Sequence, residues 1–252
     1  MTPRVHRLTV QYDGTPFAGW QRQRDPNTVQ GHLERALAQC WGRPLPLAGS
    51  GRTDAGVHAD AQVATFTAPA KFKSLAALQA ALNYHLPPQI RVTRATYAAA
   101  AFHARFSATG KEYRYRIYNH PCHNPFELHR AWHLPRPLTV TAMRRAARLF
   151  VGEHDFASFT SNPGYARKTT VRRVTRVTIS VRGPVMELRF RGNGFLYRMV
   201  RNLVGALVKV GQSRLTISEL QTILNAKTRS VAPNTAPACG LYLRRVFYRN
   251  RK

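Results

Sequence analysis

Two apolar rhythms alternate along the chain, one of period two and one of period 3.6, and their order predicts the elements. Leu8, Val10 and Tyr12 alternate with polar residues and predict a strand that ends in turn chemistry at Asp13-Gly14. A loop over 15–27 follows. Asn27, with Gln30 three residues on, is placed to cap a helix whose apolar positions Val29, Leu33, Ala36, Leu37 and Cys40 recur at helical spacing. Residues 62–67 and 90–97 read as strands, with a helix carrying Leu75, Leu78 and Leu82 between them. This first half is α+β and not parallel α/β.

The second half repeats the mixture. Residues 111–119 alternate, with Tyr113, Tyr115 and Ile117 on one face and Glu112, Arg114, Arg116 and Tyr118 on the other. Pro121, Pro125, Pro135 and Pro137 then punctuate an aperiodic excursion near the join of the halves. A helix carrying Met143, Ala146, Ala147 and Phe150 follows, and then strands over 174–181 and 185–191 with a hairpin at Gly183-Pro184. After a turn at Gly192-Asn193-Gly194, Leu196, Val200, Leu203, Val204, Leu207 and Val208 form the buried stripe of a strong helix. That stripe leaves Arg198, Arg201 and Asn202 off it. A short helix over 218–225 and a strand over 241–248 end the pattern, and two α+β domains are expected, 1–107 and 108–252.

Composition adds a partner to this picture. The 252 residues are 44% hydrophobic, enough for a real core, yet 39 Lys+Arg stand against 11 Asp+Glu, giving a formal charge of +28 and a pI near 11.5. Such a field selects polyanions. No apolar run approaches a membrane span, so nucleic acid is the better reading than a membrane surface, and a soluble cytoplasmic protein is expected. Because the basic residues are spread through both halves, phosphate contacts should dominate and weaken with salt. Cys40, Cys122 and Cys239 have neither zinc-site nor disulfide-scaffold spacing and read as reduced thiols.

The chemistry concentrates in Gly49-Ser-Gly-Arg-Thr-Asp-Ala-Gly-Val-His-Ala59, where Asp54 sits between Arg52 and His58 among three glycines. No Gly-Lys-Ser/Thr follows, so it is not a P-loop, and the glycine spacing is wrong for a dinucleotide fingerprint. Asp54, His58 and Asp60 could be weighed as metal ligands, but the other acids, among them Asp25, Glu34, Glu187 and Glu219, are scattered over a loop, helices and a strand. Glycosidic hydrolysis commonly needs a pair of carboxylates, and only Asp60 is near in sequence. The residues alone leave an acid with arginine support, and leave open a non-catalytic RNA-binding module and a metal-dependent nuclease.

The loop Gly51-Arg-Thr-Asp-Ala-Gly-Val-His58 resembles the catalytic loop of TruA-type tRNA pseudouridine synthases. Further segments stand in that family's order: Tyr12-Asp13-Gly14 with Phe17, Gly19-Trp20-Gln21, Phe102-His-Ala-Arg-Phe-Ser-Ala108, Tyr113-Arg114-Tyr115, His154-Asp-Phe-Ala-Ser-Phe159, Met199-Val-Arg-Asn202 and Gly240-Leu-Tyr-Leu243. The resemblance implies two α+β, ferredoxin- or RRM-like domains sharing an extended, mainly antiparallel sheet, with the active site in the cleft between them. It implies an isomerase that converts uridine to pseudouridine at positions 38, 39 and 40 of the tRNA anticodon stem-loop by base flipping, as a homodimer, without cofactor or metal. It makes Asp54 the nucleophile, Arg201 its electrostatic partner and Tyr113 the platform for the detached base. Arg52 is expected to orient the loop or flip the nucleotide, and Phe195 to line the pocket. His58 is grouped with them, packing or hydrogen-bonding beside the loop. For Tyr113 and Phe195 the residues alone fit core packing as well, while Asp13 and Trp20 are expected to be structural, supporting the loop that covers the cleft.

Overall fold

The computed structural model describes residues 2–23, 27–161 and 169–249; Asp25 lies outside them. The fold is α+β with mainly antiparallel strand pairing, and the chain groups into two compact units, residues 1–109 with 242–252, and residues 110–241.

In the first unit β1 (Pro3–Tyr12) leads through the 13–23 loop to α1 (Val29–Trp41). A two-residue β2 (Ala48–Gly49) precedes the glycine-rich Asp54 loop, β3 (His58–Pro69) follows it, and α2 (Leu75–His85) leads to β4 (Ile90–Ala98). β1 pairs antiparallel with both β3 and β4. Alternation on β1 buries His6, Leu8, Val10 and Tyr12. Trp41 of α1 meets the His6 and Phe66 rings edge-on, so that face carries the helices. The cap of α1 differs from expectation. Thr28 is the N-cap, its hydroxyl accepting from the Gly31 N–H, because the Asn27 side chain is engaged by the Pro16 carbonyl and by His32. Gln30 turns inward to the Arg22 N–H, Glu34 and the Leu47 carbonyl.

In the second unit β5 (Ala108–Asn119) is followed by the proline-rich stretch, which holds a short β6 (Trp132–Leu134) parallel to β5. Next come α3 (Val140–Ala147), β7 (Gly152–Asp155), β8 (Val171–Arg182) and β9 (Val185–Gly192). β9 pairs antiparallel with β5 and β8, and β7 with β8. α4 (Met199–Gly211) and α5 (Ile217–Ala226) follow, α5 with the capping box that Thr216 and Glu219 make. α3 packs on α4 and β8. Two expectations shift here. Phe150 is buried on a 3₁₀ turn beyond α3, and α4 starts three residues after Leu196, because Arg198 adopts φ +57° and breaks the periodic run. The last strand, β10 (Leu241–Tyr248), runs parallel to β3 in the first unit, with Tyr242 beside His58 and Leu243 beside Ala59.

Candidate active site

The loop from Ser50 to Val57 is short and glycine-rich, so its shape must be imposed from outside. At its start the Ser50 N–H donates to the Val63 carbonyl (2.7 Å) and the Ser50 hydroxyl to Gln62 Oε1 (2.5 Å), while Gln62 Nε2 donates to the Gly51 carbonyl (2.9 Å). In its middle the Thr53 carbonyl accepts from the Trp20 N–H (3.0 Å), and Thr53 Oγ1 shares a 2.8 Å hydrogen bond with the Tyr12 hydroxyl. The Val57 N–H closes a turn onto the Asp54 carbonyl (3.1 Å), with Gly56 at φ +74°.

Residues 13–21 buttress this loop at a distance that only glycine allows. A Cβ at Gly14 would overlap the Val57 carbonyl, and one at Gly19, already at φ +99°, would come to 2.7 Å from the Thr53 carbonyl. Gly49 lies flat under the indole of Trp20, which is 1% exposed. Trp20 thus holds the loop through both its amide and its ring. Thr53 and Val57 are buried while Asp54 between them is partly exposed on a fixed backbone.

Arg52 is exposed, and its Nε donates to Gln21 Oε1 (3.2 Å), which ties the arginine to the buttress. His58 has a different place: it is 2% exposed, stacked on Tyr242 with centroids 4.5 Å apart. Its Nδ1 accepts from the Gly14 N–H (3.0 Å) and lies 3.2 Å from Asp13 Oδ1. The amide can only donate, so that bond uses the lone pair of a neutral ring, whereas the Asp13 contact would suit a protonated one. Either way the ring pins the buttress to β3. Asp60, two residues on, has Arg244 Nε at 3.8 Å. Among the described residues no three His, Cys, Asp or Glu side chains gather as a metal-binding group.

In the second unit Tyr113 stands on β5 opposite Phe190 of β9, and its ring meets Phe195 edge-on at 5.3 Å and 85°. Phe195 is half-buried on the turn after β9, with its ring tip 3.3 Å from where a Gly192 Cβ would stand. Arg201, in the first turn of α4, is clamped twice by one residue: its Nε donates to the Ala236 carbonyl (2.8 Å), and its own carbonyl accepts from the Ala236 N–H (3.2 Å). That fixes the guanidinium at its inner nitrogen.

The clamp belongs to a strap, residues 229–237, which the sequence pattern did not reveal. Asn202 anchors it while fully buried: Nδ2 donates to the Phe159 carbonyl (2.8 Å), and Oδ1 accepts from Thr235 Oγ1 (2.6 Å) and Arg229 (3.3 Å). Gly205, one turn on, lies so close under the Asn234 carbonyl that a Cβ would overlap it, and the Tyr115 hydroxyl donates to the Pro237 carbonyl (2.8 Å). Asn202 and Gly205, both buried on α4, were the available signal, since each demands a polar or very close neighbour.

With this geometry in place, comparison with known proteins identifies the lineage. The family model described as tRNA pseudouridine synthase matches residues 8–107 and 146–249. The tRNA pseudouridine synthase A of Methylacidiphilum infernorum is 49% identical over 243 residues, spanning 96% of this chain and 95% of that protein. Its counterpart from Syntrophotalea carbinolica is 46% identical over 244 residues (97% and 96%), and that from Geobacillus kaustophilus 44% over 250 residues (98% and 95%). The matched segments include both the Asp54 loop and the Arg201 helix, and the chain belongs to the tRNA pseudouridine synthase family, a family of isomerases.

Proposed function

We propose that this protein isomerises uridine to pseudouridine at positions 38, 39 and 40 of the tRNA anticodon stem-loop, with Asp54 as the reacting carboxylate. The observation that carries the reading is the Asp54 loop, buttressed by Gly14, Gly19 and Trp20 so that a partly exposed acid stands on a fixed backbone. A uridine in a stem cannot offer C1′ and C5 to a side chain, so it is flipped out, and contacts in the site offset the lost stacking. Asp54 attacks or deprotonates the nucleoside as the N1–C1′ bond breaks. The base turns, C5 bonds to C1′, the C5 proton leaves and N1 gains one; no water is consumed.

Tyr113 is the platform for the loose base and Phe195 its neighbour at the pocket wall. Arg201 supplies the cation that aims Asp54 or that meets a phosphate. Arg52 guides the nucleotide out of the stack, and His58, held behind the loop, sets the loop's position. The reaction draws on these side chains, with no cofactor or metal. The protein acts as a cytoplasmic homodimer; no helix among the described residues is long and apolar enough to cross a membrane.

An unmodified tRNA transcript incubated with the protein and digested to nucleosides tests the activity, and carbodiimide-dependent reverse-transcription stops locate the product. Pseudouridine at positions 38–40, formed with or without chelator, is the expected result. Intact tRNA lacking pseudouridine despite tight binding would favour a binding module, and shortened products that disappear in chelator would favour a nuclease.

A further inference from the structure

One segment of the recognised pattern, Phe102-His103-Ala104-Arg105-Phe106-Ser107, has no part in the chemistry above, and it displays the aromatic ring of Phe106 at 77% exposure. The turn that carries it is tightly built. The Ser107 N–H donates to the His103 carbonyl (3.0 Å) and the His103 N–H to Ser107 Oγ (3.0 Å). His103 Nδ1 accepts from the N–H groups of Arg105 (3.1 Å) and Phe106 (3.3 Å), which requires the ring to be neutral at that nitrogen. Fully buried Ala104 fastens the turn to the body of the first unit: its N–H donates to Thr65 Oγ1 (3.3 Å), and its carbonyl accepts from the Tyr248 hydroxyl (2.8 Å).

The turn therefore presents its tip without freedom to fold it away. His103 lies against the Phe106 ring at 4.4 Å and 30°, and the Arg105 guanidinium is 5.6 Å from the same centroid. Thr65 is the register partner of Arg7, and both lie on the face of β1 and β3 away from the helices. On that face the Arg7 guanidinium stands over Phe102 (5.3 Å) and Tyr248 (4.5 Å). Arginine interleaved with aromatic rings on a sheet face, in a chain of net charge +28, has the composition that binds single-stranded nucleic acid through base stacking and phosphate contact.

We propose that Phe106, backed by His103 and flanked by Arg105, is a stacking site for an unpaired nucleobase of the substrate RNA, separate from the Asp54 loop. Thr65 stands two residues along β3 from Val63, whose carbonyl holds the start of the Asp54 loop at Ser50, and seven from His58 at the loop's far end. The site grips a nucleotide other than the reacting uridine and aids affinity and register without touching the reacting atoms. The inference rests on the proposed action on tRNA.

The test compares tRNA binding by the full-length wild type with Phe106→Ala, Phe106→Leu and Phe106→Trp, all at one salt concentration, with dimer mass followed by light scattering. Loss of one stacked base predicts affinity weaker by roughly 5- to 150-fold for Phe106→Ala. Phe106→Leu should be similarly weak, because an aliphatic side chain has no π-face, and Phe106→Trp should bind at least as well as wild type. Phe106→Ala that binds tRNA like wild type overturns this proposal while leaving the functional reading intact. Rescue by leucine, or conversion of a dimer to a monomer by Phe106→Ala, overturns it in favour of an apolar contact with a second copy. A wild type that binds no tRNA overturns the functional reading and this proposal with it.

Discussion

Asp54 and Arg201 are held in opposite ways. The acid is on a loop shaped by main chain: Trp20 and Val57 amides, the Thr53 and Asp54 carbonyls, and glycines at 14 and 19 where no Cβ fits. The arginine is on a helix, but its long side chain is aimed by a strap that buried Asn202 and the Tyr115 hydroxyl hold down. A short side chain such as aspartate can be placed only by placing its backbone. A side chain with four flexible torsions needs a partner near its end, and Ala236 supplies one at Nε. The difference predicts that the first region fails by steric displacement and the second by loss of polar satisfaction.

The largest effect belongs to Gly14→Ala. The new methyl must push the Val57 carbonyl away, so the loop moves or the buttress lifts, costing about 1–3 kcal/mol and, with Asp54 misplaced by ~1 Å, on the order of 100-fold in rate. Urea denaturation and single-turnover assays report the two parts. Wild-type behaviour in both would mean that contact at Gly14 does not shape the loop.

Asn202→Ala comes next. It strips partners from the Phe159 carbonyl, Thr235 and Arg229 at once in a buried place, and should cost about 1–3 kcal/mol, with a rate loss that follows from the loosened Arg201 clamp. If stability fell and rate at saturating tRNA did not, the strap would be structural only. Tyr12→Phe is milder: it removes one buried hydrogen bond from Thr53 Oγ1 but leaves the backbone contacts, so about 1 kcal/mol and a small rate change are expected. A Tyr12→Phe loss as great as that of Gly14→Ala would show that side chains, not main chain, hold the loop.

The smallest effect is on pH dependence. Burial holds the His6 ring below its ordinary value of 6.5, against the Arg4 carbonyl that favours its charged form. The folded state thus binds this proton less readily than the unfolded chain, so stability is complete above about pH 6.5 and declines as the pH falls through that value toward the lower folded one. His6→Phe, which keeps a ring against Phe66, should flatten part of the slope in urea midpoints between pH 7 and 5. An unchanged slope would assign the acid sensitivity to other groups.

The same contrast explains what the sequence made legible. Long amphipathic runs such as 29–41 and 199–211, and the alternating strand around Tyr113, are periodic and were readable within a few residues. β2, β6 and β7 have two to four residues, too few to carry a period, and owe their pairing to neighbours. The cap of α1 went to Thr28 because tertiary partners claimed Asn27, which no local pattern encodes. At the candidate site the Asp54 loop announced itself by composition. The strap over Arg201 did not, since part of its bonding runs through backbone carbonyls that any sequence possesses and its side-chain anchor, Asn202, is remote from it in sequence. His58 looked like a site residue by proximity alone, and its place behind the loop is set by Tyr242 and Gly14, remote in sequence.

The central claim is that Asp54 performs the chemistry and that the rest of the basic surface binds. Asp54→Asn keeps the side chain's size and the turn onto Val57 while removing the charge that attacks or abstracts. Nucleoside analysis of tRNA incubated with this variant, alongside a binding titration, separates the two roles. The account predicts no detectable pseudouridine with tRNA affinity within a few-fold of wild type. Pseudouridine formed at an appreciable rate by pure Asp54→Asn protein would contradict it and move the reaction to another acid.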